Sequence, residues 1–263
     1  MNTNTYSPQV NGSTRLFGIV GHPVAQVKTP QLMNPLFNAA QMNAICVAFD
    51  APVEHFETII GGLKDIANLD GLVITVPHKV SATALVDKLS PVAQRVGAIN
   101  AMRRELDGTW LGDMFDGTGL IQGLAPLGFQ LHGMRVKQIG AGGAGAATAF
   151  AILQLGAAAL TIFDVDEAKS SELAVLMARL FPDADVRAGR DLAGAMAKAT
   201  GLVHATPTGM DKHPGLPLPE SLLNPPLWVA EIVYFPLETA LVRAARQRGC
   251  QVADGGGMAV VES

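Results

Sequence analysis

Cysteine is nearly missing from this chain: Cys46 and Cys250 are the only two among 263 residues. They are far apart and form no C-x-x-C pair, so neither a disulfide framework nor a thiolate metal site is expected. One thiol in each half reads as reduced packing, in keeping with a cytoplasmic protein. Charge is scarce as well. Only 16% of residues are charged against 49% hydrophobic, and the formal net charge is −4. That balance excludes disorder and supports a sizeable core. With a pI near 5.8 no basic face is implied, which argues against nucleic acid as a partner. The six histidines, His22, His55, His78, His132, His204 and His213, form no H-x-x-x-H pair, so no metal is expected. Residues 1–13 are polar and lack the apolar core of a signal peptide, and they read as a frayed tail.

One stretch lacks charge altogether. Gln138 to Phe163 carries no Asp, Glu, Lys or Arg and is long enough to span a bilayer. It also holds Gly140, Gly142, Gly143, Gly145 and Gly156, with Gln138 and Gln154. A buried strand, a glycine turn, a helix and a second strand explain it better, and no membrane partner is expected.

What is present is an alternation of short apolar strands and helical stretches over a length that fits one large domain or two smaller ones. In the first half, strands are expected at 15–20, 44–49 and 71–76, the last stopped by Pro77. Helices are expected over 31–41, 53–65 and 81–89, the first begun by Thr29 as a cap with Pro30 at the first helical position. Short strands at 98–103 and 109–112 flank an Asp107-Gly108 turn. After a linking helix over 118–124, strands are expected at 135–139, 158–164, 200–205, 228–233 and 251–253. Helices follow the glycine loop to Leu155, and span 167–181 and 237–248. The reading is an α/β protein with parallel sheets in both halves, and no internal repeat is seen.

Gly140-Ala141-Gly142-Gly143-Ala144-Gly145 satisfies G-x-G-x-x-G between an expected strand and helix, the context that gives the pattern meaning. The first glycine permits the tight turn, the second lets the backbone approach a pyrophosphate, and the third lets helix and strand pack closely. Free N–H groups at the helix start face the phosphates. Asp164 ends the second strand, where an acid accepts from the ribose hydroxyls of NAD. Val165 follows it, offering no cation to a 2′-phosphate, so NAD is favoured over NADP, although Lys169 is close in sequence. The bland alternative is that Asp164 merely caps the next helix.

The rest of the chain resembles the shikimate dehydrogenase family. The segments AQVKTP (25–30), ITVPHK (74–79), GAIN (97–100), GDMFDG (112–117), the glycine loop, ATPTGM (205–210) and DGGGM (254–258) occur in the family's order. The resemblance implies a substrate-binding catalytic domain over 1–115 with a mixed or parallel sheet. It implies a Rossmann dinucleotide-binding domain over 116–254 and the start of a returning helix at 255–263. It implies Lys79 and Asp116 as the catalytic pair. Substrate-binding positions fall on Val27, Thr29, Thr75, Asn100, Tyr234 and Glu262. Beside the glycine-loop positions and Asp164, Ala205, Thr206, Pro207, Val233, Gly257 and Met258 complete the cofactor site. A Lys beside an Asp can carry the proton released when NAD oxidises a secondary alcohol. His78, next to Lys79, is expected to play a structural part.

The chain departs from the family's pattern at the substrate end. Val27, Val73 and the Met114-Phe115 pair stand where the family has polar residues, and Glu262 where it has Gln. His204 stands where Asn is common, which puts a local hydrogen bond in doubt. The expected substrate is therefore shikimate, or a cyclic hydroxy acid with different polar groups such as quinate or an amino analogue. Aromatic amino acid biosynthesis is the associated pathway. A non-catalytic NAD-sensing protein on the same fold is the alternative, against which Lys79 and Asp116 weigh. A folate-type two-domain dehydrogenase is a third, disfavoured by the V-P-H-K segment. Monomer and homodimer both stay open.

Overall fold

The computed structural model describes residues 10–125 and 128–256. The chain divides into two compact units between Met114 and Phe115.

The first unit is built on a six-stranded sheet. Its strands are β1 (Arg15–Gly21), β2 (Ala44–Asp50), β3 (Leu69–Ile74), β4 (Lys88–Leu89), β5 (Ala101–Arg104) and β6 (Trp110–Asp113), in the order β2-β1-β3-β5-β6-β4. β1 runs parallel to β2 and β3, while β5 is antiparallel to both β3 and β6, so the sheet is mixed. The parallel strands are rich in buried β-branched and aliphatic residues such as Ile19, Val20 and Ile74, as strands covered on both faces require. Helices α1 (Thr29–Ala39), α2 (Phe56–Lys64) and α3 (Pro91–Val96) accompany the sheet.

Two expectations fail here. Thr29 does not cap α1. It is the first helical residue, Lys28 holds the cap position, and no side chain caps the end. The proline-bearing start therefore lies one residue earlier than the sequence pattern suggests. The helix expected over 81–89 is instead a 3-10 turn, Ser81–Leu85, followed by β4. A run this short lacks the length at which helical hydrogen bonding outweighs nucleation.

The second unit is an all-parallel sheet. Its strands are β7 (Arg135–Ile139), β8 (Ala159–Phe163), β9 (Asp185–Ala188), β10 (Gly201–His204), β11 (Trp228–Glu231) and β12 (Gln251–Ala253), in the order β12-β11-β10-β7-β8-β9. This is the doubly wound dinucleotide-binding order, reversing between β7 and β10, where such sheets bind their ligands beyond the strands' carboxyl ends. Helices α4 (Asp116–Leu124), α5 (Gly143–Gln154), α6 (Glu167–Leu180), α7 (Leu192–Met196) and α8 (Ala240–Gln247) complete it. Every residue of α5 from Gly145 to Leu153 is buried, which explains the uncharged run: a helix apolar on all sides belongs in a core. Gly117 brings α4 against α5. A Cβ there would stand 2.8 Å from the Ala147 carbonyl oxygen. Among the described residues, no helix is long and apolar enough to cross a membrane.

Candidate active site

In the first unit, the implied substrate positions cluster at the carboxyl ends of β1 and β3. β3 ends at Ile74, short of the expected stop at Pro77, and Pro77 lies in a turn closed by a bond from His78 N–H to the Thr75 carbonyl (3.0 Å). The turn is tied to its neighbours. The Lys79 carbonyl accepts from Ile99 N–H (2.8 Å), the Asn100 carbonyl accepts from Ile74 N–H (2.7 Å), and Asn100 N–H donates to the Asp113 carbonyl (2.9 Å). Thr75, Lys79 and Asn100 thus share one backbone frame. Thr75 also meets the exit of β1: a Cβ on Gly21 would overlap the Thr75 methyl group. Val27 lies in that exit turn, buried, with its N–H on the Val24 carbonyl (3.1 Å), and Thr29 follows at the start of α1.

His78 fills a structural place. It is 2% exposed, its Nε2 lies 2.8 Å from the Ala51 carbonyl oxygen, and its ring stacks on Phe56 at 3.9 Å. A carbonyl only accepts, so Nε2 carries the proton. Burial first, with a smaller contribution from His22, holds the ring below the usual histidine range. Of the altered positions, Met114 is buried, Val73 half-buried and Phe115 exposed.

In the second unit the glycine loop follows β7 at the switch point. Gly140 has φ +114°, and a Cβ on it would overlap the Ala205 carbonyl, while a Cβ on Gly145 would overlap the Gly140 carbonyl. The first and third glycines are therefore required by the protein's own packing. Gly142 differs. It faces open space, with nothing within 4 Å of an added Cβ, and it sits at the cap of α5 with no side chain on the helix N–H groups. Space together with uncapped donors suits a pyrophosphate. Ala141 and Ala144 are half-buried beside it.

Asp164 belongs to this loop. Its carboxylate accepts from Ala141 N–H (2.7 Å) and Asp166 N–H (2.9 Å). The cap of α6 is Asp166, which accepts from Ala168 and Lys169 N–H, so the reading of Asp164 as a mere helix cap is set aside. Gln138 went unrecognised in the sequence. Fully buried, its amide donates to the carbonyls of Gly140 (2.9 Å) and Gly145 (2.7 Å) and accepts from Thr148 (3.1 Å). An uncharged polar residue near the end of the strand, two places before the glycines, was the available signal.

Ala205 and Thr206 leave β10, and Val233 and Tyr234 leave β11. Ala205 N–H donates to the Ile139 carbonyl (2.7 Å), Pro207 is exposed, and Tyr234 is half-buried. His204 keeps its hydrogen bonds despite the change from Asn, pairing with Glu231 (2.8 Å) and Thr206 (2.5 Å). Gly257, Met258 and Glu262, and nearly all of 255–263, lie outside the described residues. Asp116 is fully buried as the first residue of α4, where the helix dipole favours a carboxylate. Cys46 and Cys250 are free and buried, and burial pushes the Cys46 thiol up to about 11. No group of three or more His, Cys, Asp or Glu that could hold a metal occurs among the described residues.

Comparison with known proteins matches residues 19–102 to the shikimate dehydrogenase substrate binding domain. The chain is 46% identical over 209 residues, 78% of its length and 72% of the relative's, to a shikimate dehydrogenase (NADP(+)) of Streptomyces avermitilis. It is 38% identical to that of Rubrobacter xylanophilus, covering 94% of this chain and 87% of the relative. Among solved structures, it resembles shikimate 5-dehydrogenase from Listeria monocytogenes in complex with shikimate and NAD. There the TM-score is 0.84 at 27% identity, covering 98% of this chain and 92% of that one. It also resembles quinate dehydrogenase from Corynebacterium glutamicum in complex with NAD, with TM-score 0.83 at 30% identity, covering 95% and 90%. An all-parallel dinucleotide-binding sheet, a mixed-sheet first unit and identities of this size over most of both chains lead to one conclusion: the chain belongs to the shikimate dehydrogenase family.

Proposed function

We propose that this protein is an NAD-dependent dehydrogenase that interconverts shikimate, or a close cyclic hydroxy acid such as quinate or an amino-substituted analogue, with its 3-dehydro ketone. The observation that carries the reading is the 46% identity over 209 residues to a shikimate dehydrogenase, and Lys79 and Asp116 are the pair that the family resemblance assigns to catalysis. The dinucleotide supplies the hydride acceptor. Lys79 takes the hydroxyl proton as the alcohol is oxidised, and Asp116 balances the resulting ammonium charge. Proton transfer of this kind contributes about 10²–10⁴ in rate. Thr29, Thr75, Asn100 and Tyr234 supply the polar contacts that orient the acid.

The preference for NAD over NADP rests on the acidic end of β8. Asp164 is followed by the fully exposed Val165. Lys169, the nearest cation in sequence, lies 3.8 Å from Asp166, and Arg190 lies 3.3 Å from Glu167. A 2′-phosphate brought there meets the Asp164 carboxylate, whereas ribose hydroxyls find an acceptor in it. The named relatives of Streptomyces and Rubrobacter are NADP(+) enzymes, so this preference distinguishes the chain from them.

Purified protein tested against shikimate with NAD, beside Lys79→Ala, checks the reading. Turnover in the wild type that falls about 10²–10⁴-fold in the variant, with NAD binding unchanged by calorimetry, is the expected result. Tight NAD binding without turnover of any tested acid would move the protein to the sensing role.

A further inference from the structure

His204 and Glu231 end neighbouring parallel strands and are paired in register. Both are buried, at 0% and 2% exposure. Both oxygens of the Glu231 carboxylate are engaged: one accepts from His204 Nδ1 (2.8 Å) and from Val233 N–H (3.0 Å), the other from the Thr239 hydroxyl (2.9 Å). A carboxylate offers no donor, so Nδ1 carries the ring hydrogen. In the neutral ring Nε2 then accepts from the Thr206 hydroxyl (2.5 Å), which itself accepts from Thr208 N–H (3.2 Å). One carboxylate thereby orients the first residues beyond both β10 and β11.

The position of this network gives it a use. In a doubly wound sheet a dinucleotide lies across the switch point, one mononucleotide over each half. The glycine loop and Asp164 occupy the β7–β8 side, so the other half of the dinucleotide falls over the ends of β10 and β11. We propose that Glu231 and His204 are positioning residues for the nicotinamide half of the cofactor site, acting through the Thr206 hydroxyl and the Val233 backbone. The proposal rests on the dinucleotide-binding part of the proposed function and not on the identity of the acid.

Comparing the affinities of NAD and ADP-ribose tests it, since ADP-ribose lacks the nicotinamide. Thr206→Val and His204→Leu are each expected to weaken NAD binding on the order of tenfold and to leave ADP-ribose binding unchanged. The double variant is expected to be no weaker than the worse single one, because both cut the same chain of bonds. Glu231→Gln, which keeps acceptors for His204 and Val233, should stay near the wild type where Glu231→Leu does not. Unchanged NAD binding in Thr206→Val, or equal losses for both ligands in every variant, would overturn the proposal. Thr206→Val removes only a half-buried hydroxyl, so the test survives if the buried variants fail to fold. A protein that turns over none of the acids but still separates the two ligands would refute the dehydrogenase reading and leave this one standing.

Discussion

The two units treat their functional residues differently. In the second, the nucleotide-binding loop is fixed by groups of the protein itself: Gln138 holds two loop carbonyls, Asp164 holds Ala141, and two glycines allow backbone contacts that no side chain permits. In the first, the turn bearing Lys79 is tied down by backbone bonds at Ile99 and Asn100, while Val27 and Val73 are apolar where the family resemblance leads one to expect polar side chains. A backbone frame tolerates side-chain change, so the first unit can alter its choice of acid without losing its fold. The second unit's packing leaves far less freedom.

That contrast can be broken most severely at Gly145. Gly145→Ala places a methyl against the Gly140 carbonyl. It is expected to cost about 1–3 kcal/mol of stability, with NAD binding reduced more than tenfold by calorimetry. A well-folded variant with wild-type affinity would show the loop to be less constrained than argued. Next in size is the cofactor choice. Asp164→Ser combined with Val165→Arg removes a carboxylate and adds a cation. The ratio of kcat/KM for NADP to that for NAD is expected to rise about 10–100-fold, as one or two charge-assisted hydrogen bonds would give.

Smaller effects sharpen the substrate side. Val27→Ser restores a hydroxyl and should lower KM for shikimate about two- to tenfold, the worth of one hydrogen bond, with kcat nearly unchanged. An unaltered KM would mean that position 27 does not face the acid. The smallest effect concerns His78. Its folded-state affinity for a proton is held below the ordinary value of 6.5, so the unfolded chain binds the proton more readily. Stability is retained above about pH 6.5 and lost as pH falls through the depressed folded-state value. Urea midpoints between pH 7.5 and 5.5 should fall less steeply in His78→Gln than in the wild type. Equal slopes would contradict a role for His78 in acid sensitivity.

The nucleotide half was readable from the chain because its constraints are local: glycines at fixed offsets, a strand before them and an acid at the next strand's end. Most strands came through for the same reason, as short apolar runs between turn residues. Short elements did not. α3 and α7 are too brief to show a helical period, and β9 (DVRA) is polar because it forms a sheet edge. Glu231 was invisible as a functional residue for another reason. Its partner His204 lies on another strand, 27 positions away, and spacing along one chain does not reveal such a pairing. Lys79 and Asp116 were legible only through resemblance. By itself each looks like an ordinary loop lysine or helix-start acid.

The most direct test of the central claim is a panel of initial rates measured as reduced nicotinamide forms, with shikimate, quinate and an amino-substituted analogue, each with NAD and with NADP. Turnover of at least one acid is expected, with NAD giving the higher kcat/KM. Higher kcat/KM with NADP would contradict the role given to Asp164, and no turnover with any acid would contradict the dehydrogenase itself.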